Sequence, residues 1–187
     1  MLLALAAAVV ALLVRMFVAQ AFVIPSGSME PLLRPGDRVV VLSLGGQQVQ
    51  RGDVVVFDGD GLFSSGSSGA REDSDFVKRV IGLPGERIAC CDQSGRITVD
   101  GEPLDEPYVY PGDAPSTQAF DVIVPEGRLW LLGDHRGDSA DSRAHLGDPG
   151  GGMVPVDRVV GRVVSIAWPI SRWDGVGRVD LVPGGQR

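Results

Sequence analysis

Ser28 stands in the run Ile24-Pro25-Ser26-Gly27-Ser28-Met29-Glu30-Pro31, directly after an apolar N-terminal stretch. Far along the chain, Lys78 interrupts the otherwise apolar, strand-like run Phe76-Val77-Lys78-Arg79-Val80-Ile81-Gly82. A serine hydroxyl is a poor nucleophile near neutral pH and needs an adjacent base. A free lysine, with a pKa near 10.4, is only about 0.04% neutral at pH 7. Desolvation can lower that value by 2–3 units, at roughly 3–4 kcal/mol. In a strand, Phe76, Lys78 and Val80 share one face, and Val77, Arg79 and Ile81 the other. Lys78 therefore has apolar company, and Arg79, if close, adds a positive field that pushes the same way. The same pattern also suits a lysine on the wet face of an edge strand. Around Ser28, prolines, glycine and serines are also ordinary turn material. Ser26 reads as a second hydroxyl donor or a cap, and Gly27 lets the Ser28 N–H approach a developing oxyanion.

Other chemistries fit less well. Pro31 occupies the lysine place of a Ser-x-x-Lys motif, and no Gly-x-Ser-x-Gly elbow exists. His135 and His145, in the charged loop 133–152, are the candidates for a Ser-His-Asp triad. Asp58-Gly59-Asp60-Gly61 resembles the start of a calcium loop but lacks its terminal Glu. Neither histidine is at a ligand spacing from Cys90 and Cys91, so no metal or other cofactor is expected. Neighbouring Cα atoms lie about 3.8 Å apart, below the usual disulfide span, so the two cysteines read first as separately packed small residues. A vicinal or partner-linked disulfide is the alternative. Arg51-Gly52-Asp53 and Arg136-Gly137-Asp138 read as turns, or as the adhesion tripeptides of an anchored binding protein.

These residues need elements to hold them. The chain has 187 residues, enough for one domain with a sizeable core and a small lobe. Its 26 glycines and 13 prolines, spread among Val-rich runs, read as short strands joined by tight turns. Strands are expected over 38–42, 54–57, 75–81, 87–89, 96–99, 120–124, 129–132 and 159–168, with an exposed loop over 58–75. The class is mostly β. A formal net charge of −7 argues against a nucleic-acid partner. At the N-terminus, residues 2–14 are wholly apolar, Arg15 intervenes, and apolar character resumes through Phe22-Val23-Ile24. Thirteen helical residues cover about 20 Å, short of a ~30 Å hydrocarbon core. Extended to Ile24, the helix spans, with Arg15 snorkelling into membrane lipid headgroups. Residues 1–24 are thus expected to be a membrane anchor. Ala19-Gln20-Ala21 fits a signal-peptide cleavage pattern, or a self-trimming site, but no basic residue precedes the apolar run.

Together the pieces resemble bacterial type I signal peptidases, also called leader peptidases. The motifs that carry the likeness are Pro25-Ser26-Gly27-Ser28-Met29-Glu30-Pro31; Arg51-Gly52-Asp53 with the apolar strand after it; Lys78-Arg79-Val80 running to Leu83-Pro84-Gly85; and Gly133-Asp134-His135-Arg136 running to Ser139, Asp141 and Arg143. They occur in the family's order. The resemblance implies Ser28 as nucleophile and Lys78 as general base. It implies Ser26 with the Ser28 N–H as oxyanion hole, and Ser139 as the residue orienting the lysine. Arg79, Asp141 and Arg143 would form a supporting ion-pair network, and Met29 a wall of the substrate site. It also implies a single-pass plasma-membrane protein with an extracytoplasmic catalytic domain over 25–187, carrying a smaller β lobe inserted at about 85–129. The partners would be exported preproteins, cleaved after small-x-small sites, with the secretion translocon nearby. His135, Gly137 and Asp138 depart from the family's Asn and Asp-Asn, which touches the loop carrying Ser139. The alternatives are a Ser/Lys peptidase of other substrate, a self-cleaving protein, or a non-enzymatic anchored binding protein.

Overall fold

The computed structural model describes residues 19–43, 49–63 and 74–184. Among them the architecture is β, with short 3-10 turns and twelve strands. These are β1 (Ala19–Val23), β2 (Arg38–Leu42), β3 (Val54–Asp58), β4 (Asp75–Gly82), β5 (Arg87–Cys90) and β6 (Ile97–Val99). They continue as β7 (Glu102–Pro103), β8 (Phe120–Ile123), β9 (Arg128–Leu132), β10 (Val154–Pro155), β11 (Val159–Trp168) and β12 (Asp174–Gly175). The larger sheet runs β1-β2-β11-β3-β4-β9-β10, with β12 added to β11, and the smaller runs β7-β6-β5-β8. Every pairing is antiparallel.

The N-terminal expectation needs correction. A helix carried to Ile24 is not found: Ala19–Val23 pair along β2, from Ala19 opposite Leu42 to Val23 opposite Arg38. Phe22 packs against the core around Val39 and Val41, and that burial decides the conformation of a segment whose apolar run suits helix and strand alike. Ala19-Gln20-Ala21 is part of this pairing. Residues 1–18, which carry the rest of the expected anchor, lie outside the described residues, as do positions 64–73 of the expected loop. Among the described residues no helix is long and apolar enough to cross a membrane.

β8 and β9 flank the turn at Pro125-Glu126-Gly127 but separate there, β8 pairing with β5 and β9 with β4. One apolar cluster joins the two sheets: Ile81, Trp130 and Leu132 from the larger meet Ile88, Ile97 and Phe120 from the smaller. Gly82 sits at this junction, where a Cβ would lie 2.7 Å from the Ile88 side chain and 2.9 Å from that of Trp130. A second cluster packs Ile24, Met29 and Leu33 against Val39, Val54 and Val163. It fixes the turn that carries Ser28. Cys90 and Cys91 are bonded to each other across a cis peptide at the end of β5, so the reading as separate residues is replaced by the vicinal one.

Candidate active site

Ser28 leaves β1 through Pro25 and begins a turn closed by Glu30 N–H to Gly27 O (2.9 Å) and Leu33 N–H to Met29 O (2.9 Å). Met29 is 1% exposed and packs in the second core cluster. The cleft beside Ser28 is instead lined by Ser26, Phe76, Gly137, Asp138, Ser139 and Ala140. Met29 is not among these lining residues; its side chain anchors the turn.

Lys78 lies on β4, opposite Val55 of β3 and one residue before the pairing with β9 begins, and it is buried rather than on a wet face. Its residue exposure is 4%. Nζ donates to Ser28 Oγ at 2.9 Å and to Val77 O at 3.0 Å. Burial pushes the amine down to about 8, while the carboxylates of Asp141 and Asp134 pull it back up. Arg79 does not supply the repulsive field suggested by its position. It points to the opposite face, where its Nε and Nη2 donate to the two oxygens of Asp134 at 2.8 and 2.6 Å. Burial raises the Asp134 carboxyl, against the pull of Arg79. Asp134 had no role assigned from sequence, although a buried arginine demands a carboxylate.

Ser26 Oγ lies 3.3 Å from Ser28 Oγ, within donating distance. The Ser28 N–H has no acceptor among the described residues. Ser28 O accepts from His135 N–H at 3.1 Å, which ties the nucleophile's own backbone to the turn that opens loop 133–152. Gly133 makes the close approach possible, since a Cβ there would collide with Ser139 Oγ and lie 2.5 Å from Ser28 O. Gly133 N–H donates to Asp141 Oδ2 (3.0 Å), and Arg143 clasps the same carboxylate through Nε and Nη2, both at 2.8 Å. Burial disfavours the Asp141 charge, but Arg143 and the Gly133 N–H outweigh it and hold the carboxyl below its ordinary value. The arginine and aspartate residues thus form two separate pairs rather than one network with Arg79. Ser139 Oγ is enclosed in the cleft wall. It lies close enough to Asp141 to favour that carboxylate's charge without meeting hydrogen-bond geometry. The bonds of Lys78 Nζ go to Ser28 and Val77.

The two histidines are not placed as bases for Ser28. His135 stacks on Tyr110 at 4.0 Å between ring centroids. His145 stacks on Phe63 and meets Asp148 through Nδ1 at 2.7 Å. The arginines of both Arg-Gly-Asp sequences are engaged inside the protein, Arg51 by Glu86 and Arg136 by Glu106, each at 2.6 Å. Neither tripeptide is presented as an adhesion loop. Glu106 and Tyr108 lie in a proline-rich connection whose sequence carries no periodic signal that would single them out. On its β9 side, β4 is unpaired from Asp75 to Lys78 among the described residues, since that pairing begins at Arg79. An apolar groove lined by Phe22, Val23, Pro25, Val56 and Val77, with Asp75 at its rim, runs between β1 and β4.

The chain is similar to known proteins over most of its length. The family model described as signal peptidase, peptidase S26, matches residues 1–168. A probable signal peptidase I of Mycobacterium leprae is 36% identical, across 90% of this chain and 75% of that protein. Signal peptidase IB of Staphylococcus aureus is 30% identical, across 88% and 86%. A crystal structure of a signal peptidase I from Enterococcus faecalis aligns with a TM-score of 0.46 and 28% identity, over 62% of this chain and 97% of that one. The chain belongs to the signal peptidase family, peptidase S26.

Proposed function

We propose that this protein is a serine endopeptidase that removes N-terminal signal peptides from exported preproteins, with Ser28 as nucleophile and Lys78 as general base. The observation that carries the reading is a lysine amine 2.9 Å from a serine hydroxyl, at a residue only 4% exposed. With its pKa near 8, about a tenth of the amine is neutral at pH 7, against about 0.04% for a free lysine. The neutral amine takes the Ser28 proton as Oγ attacks the scissile carbonyl. The tetrahedral oxyanion is met by the Ser28 N–H and the Ser26 hydroxyl. The lysine ammonium then gives its proton to the leaving amine of the mature chain. In the second half, Lys78 deprotonates water, which attacks the ester carbonyl; the bond from that carbon to Ser28 Oγ breaks, the ammonium returns its proton to Oγ, and the signal peptide leaves as its carboxylate. Ser139, which lines the same cleft as Lys78, orients the lysine. The two arginine–aspartate pairs hold the loop.

The substrate adds as an extended strand along the unpaired part of β4, with backbone bonds giving affinity. The apolar groove between β1 and β4 takes the small residues before the cut. The apolar residues ahead of β1 anchor the enzyme in the plasma membrane, with the sheets on the extracytoplasmic side. This keeps the cleft where a translocated preprotein emerges and raises its effective concentration.

The test is a preprotein processing assay in detergent. Ser28→Ala and Lys78→Ala are each expected to abolish cleavage while circular dichroism stays that of wild type. Cleavage at the wild-type rate by either folded variant sinks the assignment.

A further inference from the structure

We infer that Glu106 is a positioning residue for Ser28, acting through Arg136 and the turn that grips the nucleophile's backbone. The inference rests on the Ser/Lys reading above and extends it to a residue outside the cleft. Glu106 lies in the connection between β7 and β8, at the edge of the smaller sheet. Its carboxylate takes Arg136 in a two-point clasp, Nη2 to Oε1 at 2.6 Å and Nη1 to Oε2 at 3.2 Å. Both side chains are nearly closed to water, at 1% and 6% exposure. Burial acts against the Arg136 charge, and Glu106 more than restores it.

From Arg136 the linkage to Ser28 is short. Arg136 Nε donates to Gly133 O (2.9 Å), closing the turn 133–136 on itself. Inside that turn His135 N–H holds Ser28 O, and Gly133 packs against the same carbonyl. The far side of the turn is gripped by the same connection. Tyr110 N–H donates to Asp134 O (2.9 Å), Asp113 accepts from Gly137 N–H (2.9 Å), and Pro115 O accepts from Arg136 Nη1 (2.8 Å). Tyr108 completes the clasp: its hydroxyl donates to Glu106 Oε1 at 2.6 Å, and the Arg79 guanidinium lies over its ring at 4.1 Å. Arg79 in turn is the chain neighbour of Lys78 and the partner of Asp134. The connection thus braces both halves of the dyad, Ser28 through Arg136 and Lys78 through Arg79. A buried two-point guanidinium–carboxylate pair transmits position well because it fixes direction as well as distance. Removing one partner leaves the other charge uncompensated.

Glu106→Gln keeps the shape and removes the charge. Its kcat on a signal-peptide substrate is expected to fall roughly 10- to 100-fold, the scale of small misplacements of reacting groups, with KM within twofold of wild type. Glu86→Gln breaks a comparable 2.6 Å pair with Arg51, whose bonds among the described residues go to Glu86 and Ile81 rather than to the turn. It is expected to lower the melting temperature without lowering kcat. Tyr108→Phe, which removes one hydroxyl, decides the matter should Glu106→Gln prove unfolded at the assay temperature. A several-fold loss of its kcat supports the inference. An unchanged kcat in the folded Glu106→Gln protein, or an equal loss in Glu86→Gln, overturns it. Ser28→Ala and Lys78→Ala run in parallel keep the two readings apart. If both are dead while Glu106→Gln is fully active, only the role of Glu106 fails; if either is active, the dyad itself fails.

Discussion

Lys78 is a side chain whose burial works against the fold and for the chemistry. Its amine falls to about 8 chiefly by desolvation, with Asp141 and Asp134 limiting the drop. With the neutral amine as base, as proposed, kcat/KM should rise with pH along a limb whose apparent pKa lies near 8. A limb at 10 or above, measured with a fluorogenic signal-peptide substrate, would show an amine in ordinary solvent. The same shift makes a stability statement. The folded pKa lies below the unfolded one, so the native state binds fewer protons between about 8 and 10.5 and stability rises with pH across that window. Below it the penalty is fully present. Lys78→Met should therefore be inactive yet more stable than wild type by about 1–3 kcal/mol at pH 6. The advantage should vanish above pH 10.5, as read from urea unfolding at each pH.

At the scale of elements, the turn 133–136 decides more than any strand about where the hydroxyl sits. Gly133 is in direct contact with Ser28 O and with the Ser139 side chain, and its N–H also serves Asp141. A methyl group there cannot be accommodated without moving the Ser28 backbone or Ser139. Gly133→Ala should cost on the order of 100-fold in kcat while the folded spectrum persists, which steady-state kinetics beside circular dichroism will check. β4 contributes through its two unequal edges. Paired with β3 from Asp75 to Arg79 but with β9 only from Arg79 onward, it fixes Lys78 firmly and leaves a ledge beside it.

For the molecule as a whole, the smaller sheet is joined to the larger through an apolar cluster centred on Trp130, which is wholly buried. Trp130→Ala should cost about 3–5 kcal/mol, seen as a lowered urea midpoint. The connection at 106–115 leaves this smaller sheet to hold the turn at the cleft, so losses at the cluster should reach kcat before the fold gives way. In the folded Trp130→Ala protein at the assay temperature, activity is expected to decline with KM little changed.

The local pattern of residues determined most of the longer strands and singled out the serine and the lysine that the fold brings together. Val-rich runs between glycines and prolines marked β2, β3 and β11 within a residue, because burial in a sheet imposes short apolar runs that any reader can count. Ser28 and Lys78 stood out because a turn-bound hydroxyl and a lysine in an apolar strand are chemically odd. Pattern did not settle whether Lys78 was wet or dry, since alternation gives a face but not what covers it. It also missed β1, where Ala19–Val23, expected as the end of a helix, are held as strand by pairing with β2. Nor did it single out Glu106, Tyr108 or Asp134, whose significance lies in long-range partners. Buried charges choose those partners by proximity in space, and only the packing of one sheet against the other brings a glutamate at 106 to an arginine at 136 and, through it, to the backbone of Ser28.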